Sequence, residues 1–287
     1  MPYNEEAALQ SLKSVLNTVY RLRAPGGCPW DQEQTHQSLR PFLLEETYET
    51  LEVLDQVNSP ESLNDPHLKK AFVEEWGDLL LQILLNAEIA SETHSDINLA
   101  AVAQTLNEKL IRRHPHVFGE VKVSDSNDVV KNWAEIKKAE KGLTDAPKST
   151  FDGISNGMAP IPRTMKVISK VTKVGFQWPD LKGPTEKLEE EVSELKEALL
   201  EKNHQDPKTR EKIESEIGDV LFSICNIAHF LKMDPEAALR STLRKFESRF
   251  RHVETRLQEK GSSPEKSNLE EMDHYWDEAK RLERNQS

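Results

Sequence analysis

Cysteine is almost absent from this sequence. The 287 residues include two cysteines, Cys28 and Cys225, with no patterned spacing. They provide neither a disulfide framework nor a zinc-ligand pattern, which favours a reducing compartment. The first residues, MPYNEE, also lack the basic-then-apolar order of a signal peptide. We therefore expect a cytoplasmic protein.

Glycine and long apolar runs are scarce as well. Only 11 residues are glycine, well below the roughly 7% of an average protein. Neither GxxxxGK[ST] nor GxGxxG occurs, which excludes a P-loop and a Rossmann dinucleotide site. The richest apolar stretch, residues 79–90, is interrupted by Gln82, Asn86 and Glu88. It is too short and too polar to span a bilayer, so we expect no membrane association.

Acidic residues outnumber basic ones, and the formal net charge is −12. This balance disfavours a stable nucleic-acid partner, because such binding depends on Lys and Arg neutralising phosphates. Phosphate-bearing small molecules remain compatible with the composition, because a bound divalent metal can reverse the local field.

Apolar residues recur at helical spacing along most of the chain. The pattern predicts helices over residues 41–57, 68–92 and 98–113. The only candidate strand is VKVSD at 121–125, and hairpin signals are missing. The predicted fold class is therefore all-α.

Five motifs occur twice in the same order. The pairs are GCPW 27–30 with GFQW 175–178, LEETYE 44–49 with EEEVSE 189–194, EWGDLL 75–80 with EIGDVL 216–221, KLIRRHPHV 109–117 with KFESRFRHV 245–253, and WAEIK 133–137 with WDEAK 276–280. They indicate a tandem duplication of one helical-bundle unit. A Pro- and Gly-rich segment lies between the copies. We predict an N-terminal domain 1–141, a linker 142–163 and a C-terminal domain 164–287.

Each copy carries the motif EExxE followed by ExxD. The carboxylates are Glu45, Glu46, Glu49, Glu75 and Asp78 in the first copy, and Glu190, Glu191, Glu194, Glu216 and Asp219 in the second. At helical spacing the carboxylates of each motif converge on one face. A solvated surface is the competing interpretation of EExxE alone, but recurrence of the whole set favours a metal site.

Oxygen ligands of this kind suit Mg²⁺, with Mn²⁺ as a possible substitute. Di-iron carboxylate bundles use Glu-x-x-His, whereas this sequence has ExxD twice, so a di-metal redox protein stays a second alternative. Gly77 and Gly218 precede the aspartates inside the helices. Glycine is unfavourable there, which points to close approach of another helix or a ligand, or to plain packing.

Cationic and aromatic residues follow the carboxylates in each copy. Lys245 and Arg249 are spaced i, i+4 and could clamp phosphate oxygens. Trp133–Lys137 and Trp276–Lys280 have the same spacing, so a ring that could stack on a base stands beside an ammonium group. Surface charge and core packing are the competing interpretations. In the first copy Pro115 is expected to end the helix soon after Lys109 and Arg113.

These motifs, together with GCPWD and RRHPHVF, resemble the MazG family of all-α nucleoside triphosphate pyrophosphohydrolases, over nearly the whole chain. The resemblance implies a Mg²⁺-dependent homodimer that hydrolyses NTPs and dNTPs to monophosphate and pyrophosphate, as in nucleotide-pool house-cleaning. A nucleotide-binding regulator with incidental hydrolysis is an alternative.

The resemblance also assigns roles to individual residues. It implies that Glu190 orients or deprotonates the attacking water, and that the C-terminal copy is the main catalyst. The implied metal ligands are Glu191, Glu194, Glu216 and Asp219, and in the first copy Glu46, Glu49, Glu75 and Asp78. The implied nucleotide-binding residues are Lys187, Lys245, Arg249, Trp276 and Lys280, and in the first copy Lys109, Arg113, Trp133 and Lys137.

Overall fold

All regular elements among the described residues are helical. The structure, a computed structural model, describes residues 4–140, 149–201 and 203–286. The chain divides into two units, residues 1–145 and 146–287, and each unit has the same order of motif-bearing helices. The predicted all-α class and tandem duplication are confirmed. None of the described helices is both long enough and apolar enough to cross a bilayer.

The first unit contains seven α-helices in its described part. They are α1 (Glu5–Arg23), α2 (Pro29–Glu33), α3 (Arg40–Leu54), α4 (Pro66–Thr93), α5 (Leu99–Arg113), α6 (Pro115–Phe118) and α7 (Ser126–Glu140). A 3₁₀ helix at Pro60–Asn64 precedes α4. The three predicted helices correspond to α3, α4 and α5.

The second unit contains five α-helices in its described part. They are α8 (Pro160–Lys173), α9 (Lys182–Leu199), α10 (Pro207–Phe230), α11 (Pro235–Glu259) and α12 (Leu269–Gln286), with a 3₁₀ helix at Pro264–Lys266. By their motifs, α9 corresponds to α3, α10 to α4, α11 to α5 and α12 to α7. The predicted linker, 142–163, lies partly outside the described residues, and α8 begins inside its last part.

The two ExxD helices begin in the same way. The Asp65 carboxylate accepts the His67 backbone N–H at 2.8 Å before α4, and Asp206 accepts the N–H groups of Lys208 and Thr209 before α10. A proline follows each aspartate, and it suits the first helical position because no backbone donor is needed there. These caps fix where each helix begins and hence which way its carboxylates point.

The prediction of a strand at 121–125 is wrong. Residues 121–123 have no regular structure, and the Val121 N–H donates to the Pro115 carbonyl oxygen at 3.3 Å. A strand needs a neighbouring strand to satisfy its backbone groups. No strand occurs among the described residues, so this segment forms a loop.

Each unit has its own buried apolar cluster. In the first unit Val19 of α1 packs with Leu39, Leu84 and Leu85. In the second, Val253 and Leu257 of α11 pack against Tyr275 of α12. The first cluster includes residues of the carboxylate-bearing helix α4, whereas the second joins the basic helix α11 to the tryptophan-bearing helix α12.

Candidate metal centres and nucleotide-binding residues

In the first unit three carboxylates converge from two adjacent helices. Glu46 lies on α3, and Glu75 and Asp78 lie on α4. One oxygen from each lies within 4.8 Å of the others, and all three residues are half-buried. Beside them, the hydroxyl of the buried Thr50 donates to the Glu75 carbonyl oxygen at 3.4 Å. This bond ties α3 to α4 next to the carboxylates.

The first cluster carries uncompensated negative charge. Burial and the neighbouring carboxylates, with Asp78 the strongest, raise the pKa of Glu46. Burial, followed by the charge of Glu49, likewise raises the pKa of Glu75. Within the described residues, neither Glu46 nor Glu75 has a cationic partner. The site is therefore one that a cation would stabilise.

The second unit brings three carboxylates together at the corresponding helices, but not the same three. Glu191 and Glu194 of α9 meet Glu216 of α10, again with one oxygen of each within 4.8 Å. Glu191 is buried, Glu216 is half-buried and Glu194 is exposed. Burial and repulsion from Glu191 and Glu216 raise the pKa of Glu194.

A lysine already neutralises part of the second cluster. Lys187 Nζ lies 2.8 Å from a Glu191 oxygen and 2.9 Å from a Glu190 oxygen. Hydrogen bonds to these two carboxylates raise the pKa of Lys187 well above its usual range. In the first copy Phe42 occupies the position equivalent to Lys187, three residues before EExxE, and packs against the apolar cluster. The two units thus differ by one internal cation.

Six of the eight predicted metal ligands lie in these two three-carboxylate groups. Of the other two, Glu49 lies near the first group, because its charge raises the pKa of both Glu75 and Glu46. Asp219 is exposed and lies outside the second group. Residues at i and i+3 differ by about 60° around a helix, so Glu216 can face α9 while Asp219 points further toward solvent.

The donor set suits a hard divalent cation. All ligating atoms are carboxylate oxygens, which Mg²⁺, Mn²⁺ and Ca²⁺ prefer, whereas redox iron sites of this type add histidine. Burial first, and repulsion between the neighbouring carboxylates second, raise the pKa values of Glu46, Glu75 and Glu194. The residues present therefore fit a bound metal ion.

The predicted phosphate-binding arginine of the second unit is held by a glutamate. Arg249 Nε lies 3.1 and 3.2 Å from the two Glu283 oxygens, and Nη2 lies 2.8 Å from one of them. The guanidinium packs over the Trp276 ring, 5.7 Å from its centroid. Arg249 and Trp276, predicted separately, are therefore brought together.

The remaining predicted cations of the second unit are arranged differently. Lys245 lies one turn before Arg249 on the uninterrupted helix α11 and is exposed. Lys280 does not point at the tryptophan but pairs with Asp277 at 2.7 Å. Lys187, as described, contacts the carboxylates rather than standing apart from them.

The first unit repeats the arginine arrangement. Arg113 Nε and Nη2 contact the Glu140 carboxylate at 3.1 and 2.6 Å, and Arg112 contacts it at 2.8 Å. Helix α5 ends at Arg113 and Pro115 begins α6, so the helix is interrupted where Pro115 predicts. Lys109, on α5, is half-buried.

The tryptophan of the first unit packs against a histidine. The His114 ring meets the Trp133 ring edge-on at 5.1 Å between centroids. Lys137 lies 6.0 Å from the Trp133 ring centroid, as the i, i+4 spacing predicts. Trp133 is half-buried and has a histidine ring packed edge-on against it.

Beside Trp276 the second unit has an open aromatic pocket of about 250 Å³. Its lining residues are Phe246, Phe250, Val253, Leu269, Met272, Asp273 and Trp276. The Phe246 and Trp276 ring centroids are 4.9 Å apart. The sequence reasoning missed Phe246 and Phe250, although the i, i+4 phenylalanines of KFESRF are a signal that could have found them.

Helices that bear converging carboxylates, followed by a basic and aromatic group, define an all-α class of candidate metal and phosphate-binding proteins. The sequence profile of the MazG nucleotide pyrophosphohydrolase domain matches residues 34–118 and 182–254, once in each unit. The chain belongs to the MazG family.

Individual relatives agree with this assignment. The chain is 41% identical over 269 residues to the nucleoside triphosphate pyrophosphohydrolase/pyrophosphatase MazG of Thermotoga maritima, covering 93% of this chain and 95% of the relative. It is 33% identical to the nucleoside triphosphate pyrophosphohydrolase of Escherichia coli K12, covering 96% and 99%. It is also 39% identical to an uncharacterized protein, YabN, of Bacillus subtilis, covering 99% of this chain and 54% of that protein.

Proposed function

We propose that this protein hydrolyses nucleoside triphosphates, NTP and dNTP, to the monophosphate and pyrophosphate. The observation that carries the proposal is the convergence of carboxylates from two adjacent helices in each unit, in a chain that belongs to the MazG family. Relatives that match nearly the whole chain are named for this activity.

In this proposal Glu191, Glu194 and Glu216 of the second unit would hold Mg²⁺, and Asp219, which lies outside that three-carboxylate group, is the fourth proposed ligand. The ion, when bound, neutralises triphosphate charge and lowers the pKa of a water molecule. Glu190 would orient the attacking water and accept its proton. The water oxygen bonds to one of the two phosphorus atoms joined by the α,β-bridging oxygen, and the bond from that phosphorus to the bridging oxygen breaks. The products are the monophosphate and pyrophosphate: the attacked phosphorus keeps the water oxygen, and the other product departs with the bridging oxygen.

Cationic residues would bind the triphosphate while the aromatic pocket takes the base. Lys245 and Arg249 share one face of α11 and can contact adjacent phosphate oxygens. Lys187 is close enough to the carboxylates to reach a phosphate held there. Trp276 presents a ring for stacking in an open pocket, and Lys280 lies one turn further along α12.

We assign most of the turnover to the C-terminal unit. Its basic helix α11 is continuous past Arg249, and its tryptophan lines an open pocket. In the first unit the helix is interrupted after Arg113, and His114 covers Trp133. That unit can bind metal through Glu46, Glu49, Glu75 and Asp78, but it offers a poorer nucleotide site.

We also propose that the protein is a homodimer. Large apolar side chains are exposed on the carboxylate-bearing helices of both units, and faces of this kind mark association surfaces. They include Leu44, Tyr48, Val73, Trp76 and Ile83 in the first unit, and Ile217, Leu221, Phe222 and Ile224 in the second. Sedimentation equilibrium should give twice the 32.8 kDa of one chain; a monomer at all concentrations refutes the dimer.

The test of function is a panel of NTPs and dNTPs, assayed for pyrophosphate release with and without metal. We expect release with Mg²⁺, none after chelation, and recovery with Mg²⁺ or Mn²⁺. Ca²⁺ should support binding better than turnover, because it accepts looser geometry. Activity that survives exhaustive chelation contradicts the metal-based mechanism. Tight binding of nucleotide without turnover would instead indicate a regulator.

A further inference from the structure

Each unit pairs its predicted phosphate-binding arginine with a glutamate that lies seven residues after the tryptophan. Glu283 follows Trp276 and holds Arg249; Glu140 follows Trp133 and holds Arg113. In both pairs Nε and Nη2 of the arginine contact the two carboxylate oxygens, at 2.8–3.2 Å in the second unit and 2.6–3.2 Å in the first. The geometry is the same although the surrounding sequences differ.

This geometry determines which part of the guanidinium stays available. A bidentate contact fixes the plane of the arginine fork and occupies one edge of it. Within the described part of the chain, Arg249 Nη1 has no hydrogen-bond partner. One face of the same group rests on Trp276. Glu283 therefore leaves the Nη1 group of Arg249, and the second N–H of Nη2, in a fixed orientation.

Glu283 also lies near the second predicted cation of this unit. Arg249, by hydrogen bonding, and Lys245, by its nearby charge, hold the pKa of Glu283 below its usual range. Both cations are the ones assigned to the triphosphate. A glutamate in this position can restrain them before substrate arrives, which lowers the entropy cost of binding.

We propose that Glu283 is a positioning residue for triphosphate binding, which holds the Arg249 guanidinium against Trp276 with Nη1 left for a phosphate oxygen. The inference rests on the proposed function, because it needs a triphosphate at this group. It extends that function to a residue that contacts the substrate only through Arg249.

The Arg249–Glu283 pair is not needed to hold α12 against α11. The two helices already share the buried Val253, Leu257 and Tyr275. They also share a second ion pair, Arg256 Nε to Glu278 at 3.3 Å. Glu278 thus provides a matched control, because it is a glutamate on the same helix that pairs with an arginine on the same neighbour.

The experiment compares Glu283→Gln and Glu278→Gln in the full chain, with ATP and saturating Mg²⁺. We expect Glu283→Gln to raise KM roughly five- to tenfold with kcat within about twofold, as for a lost orientation of a binding group. Glu278→Gln should leave KM within about twofold, whatever it does to the unfolding midpoint. Glu283→Asp, which keeps the charge, should raise KM less than Glu283→Gln.

A double variant separates positioning from a direct contact. In an Arg249→Ala background, Glu283→Gln should change KM no further, because the glutamate acts through the arginine. An unchanged or lower KM in Glu283→Gln, or an equal rise in Glu278→Gln, overturns the inference. Failure of the wild type to release pyrophosphate is a separate result, which refutes the proposed function itself.

Discussion

The two units share their motifs but differ in charge at the carboxylates and in space at the tryptophan. In the N-terminal unit, Phe42 stands where the C-terminal unit has Lys187, so Glu46 and Glu75 have no cationic partner within the described residues. In the C-terminal unit, Lys187 contacts Glu190 and Glu191 at 2.8–2.9 Å. Duplicated metal motifs can therefore have different electrostatics while their spacing stays the same.

The surroundings of the tryptophan also differ between the two units. The C-terminal unit has an open pocket at Trp276, whereas His114 packs edge-on against Trp133 in the N-terminal unit. The unit with the less negative carboxylate cluster thus also has the open pocket beside its tryptophan. We therefore expect the C-terminal unit to hydrolyse most of the substrate and the N-terminal unit to bind metal more tightly.

The largest expected effect concerns removal of one carboxylate from each cluster. Glu216→Gln should lower kcat by about a hundredfold or more, because it removes charge from a proposed metal ligand at nearly constant size. The matched variant, Glu75→Gln, should keep most of the activity. Steady-state kinetics with ATP and dTTP at saturating Mg²⁺ checks this. If Glu75→Gln is the inactive variant, most of the turnover belongs to the N-terminal unit instead. If each variant loses half of the activity, the two units are equivalent.

A smaller effect concerns metal affinity without nucleotide. Mn²⁺ should bind more tightly to the N-terminal cluster than to the C-terminal one, because Lys187 competes with the metal. Lys187→Met should tighten the weaker class roughly three- to tenfold by removing a like charge. Electron paramagnetic resonance of free Mn²⁺ measures both classes, and Glu75→Gln should abolish the tighter one. A single class that Lys187→Met leaves unaltered would remove the electrostatic distinction.

A pH-dependent effect distinguishes the two arginine–glutamate pairs. Arg113 and Arg112 lower the pKa of Glu140 from 4.5 to about 2. Because the folded-state pKa is depressed, the stability from this group is present above 4.5 and lost as pH falls toward 2. Glu140→Gln should therefore be destabilised at pH 7, by a difference that shrinks below pH 4.5.

Urea denaturation of wild type and Glu140→Gln at a series of pH values checks this prediction. Glu283→Gln provides the comparison, since among the described residues Glu283 is hydrogen-bonded to one arginine and Glu140 to two. Its destabilisation at pH 7 should be the smaller of the two. A Glu140→Gln difference that is independent of pH would show that the charge of Glu140 does not contribute.

The smallest expected effect concerns the glycines inside the ExxD helices. A Cβ added at Gly77 or Gly218 would meet no described atom within 4 Å, so close packing inside the chain does not require glycine there. Gly77→Ala and Gly218→Ala should each stabilise the fold by up to about 1 kcal/mol through helix propensity. Thermal unfolding measures this. Loss of stability in either variant would reveal a strain that the structure does not show.

The helices and the carboxylate clusters were predictable because both depend on local periodicity. EExxE and ExxD place their carboxylates on one helical face, and adjacent helices then bring Glu46 to Glu75 and Asp78, and Glu191 to Glu216. The outward position of Asp219 was not predictable. Residues at i and i+3 differ by about 60° around a helix, and spacing alone does not say which of the two faces the partner helix.

Contacts between distant segments were missed. The Arg249–Glu283 pair joins residues 34 positions apart, and its formation depends on how α12 packs against α11. Both copies have a glutamate seven residues after the tryptophan, which was a visible signal. Its arginine partner could not be identified until the packing of the helices was known. The prediction of a strand at 121–125 was wrong for the same reason, because a strand depends on a neighbouring strand that local sequence does not reveal.

The most direct test of the central claim is the identity of the first products from ATP and Mg²⁺. Chromatography of early time points should show AMP and pyrophosphate appearing together in equal amounts, with no ADP accumulating before them. ADP and inorganic phosphate as the first products would contradict cleavage between the α- and β-phosphates, and with it the proposed function.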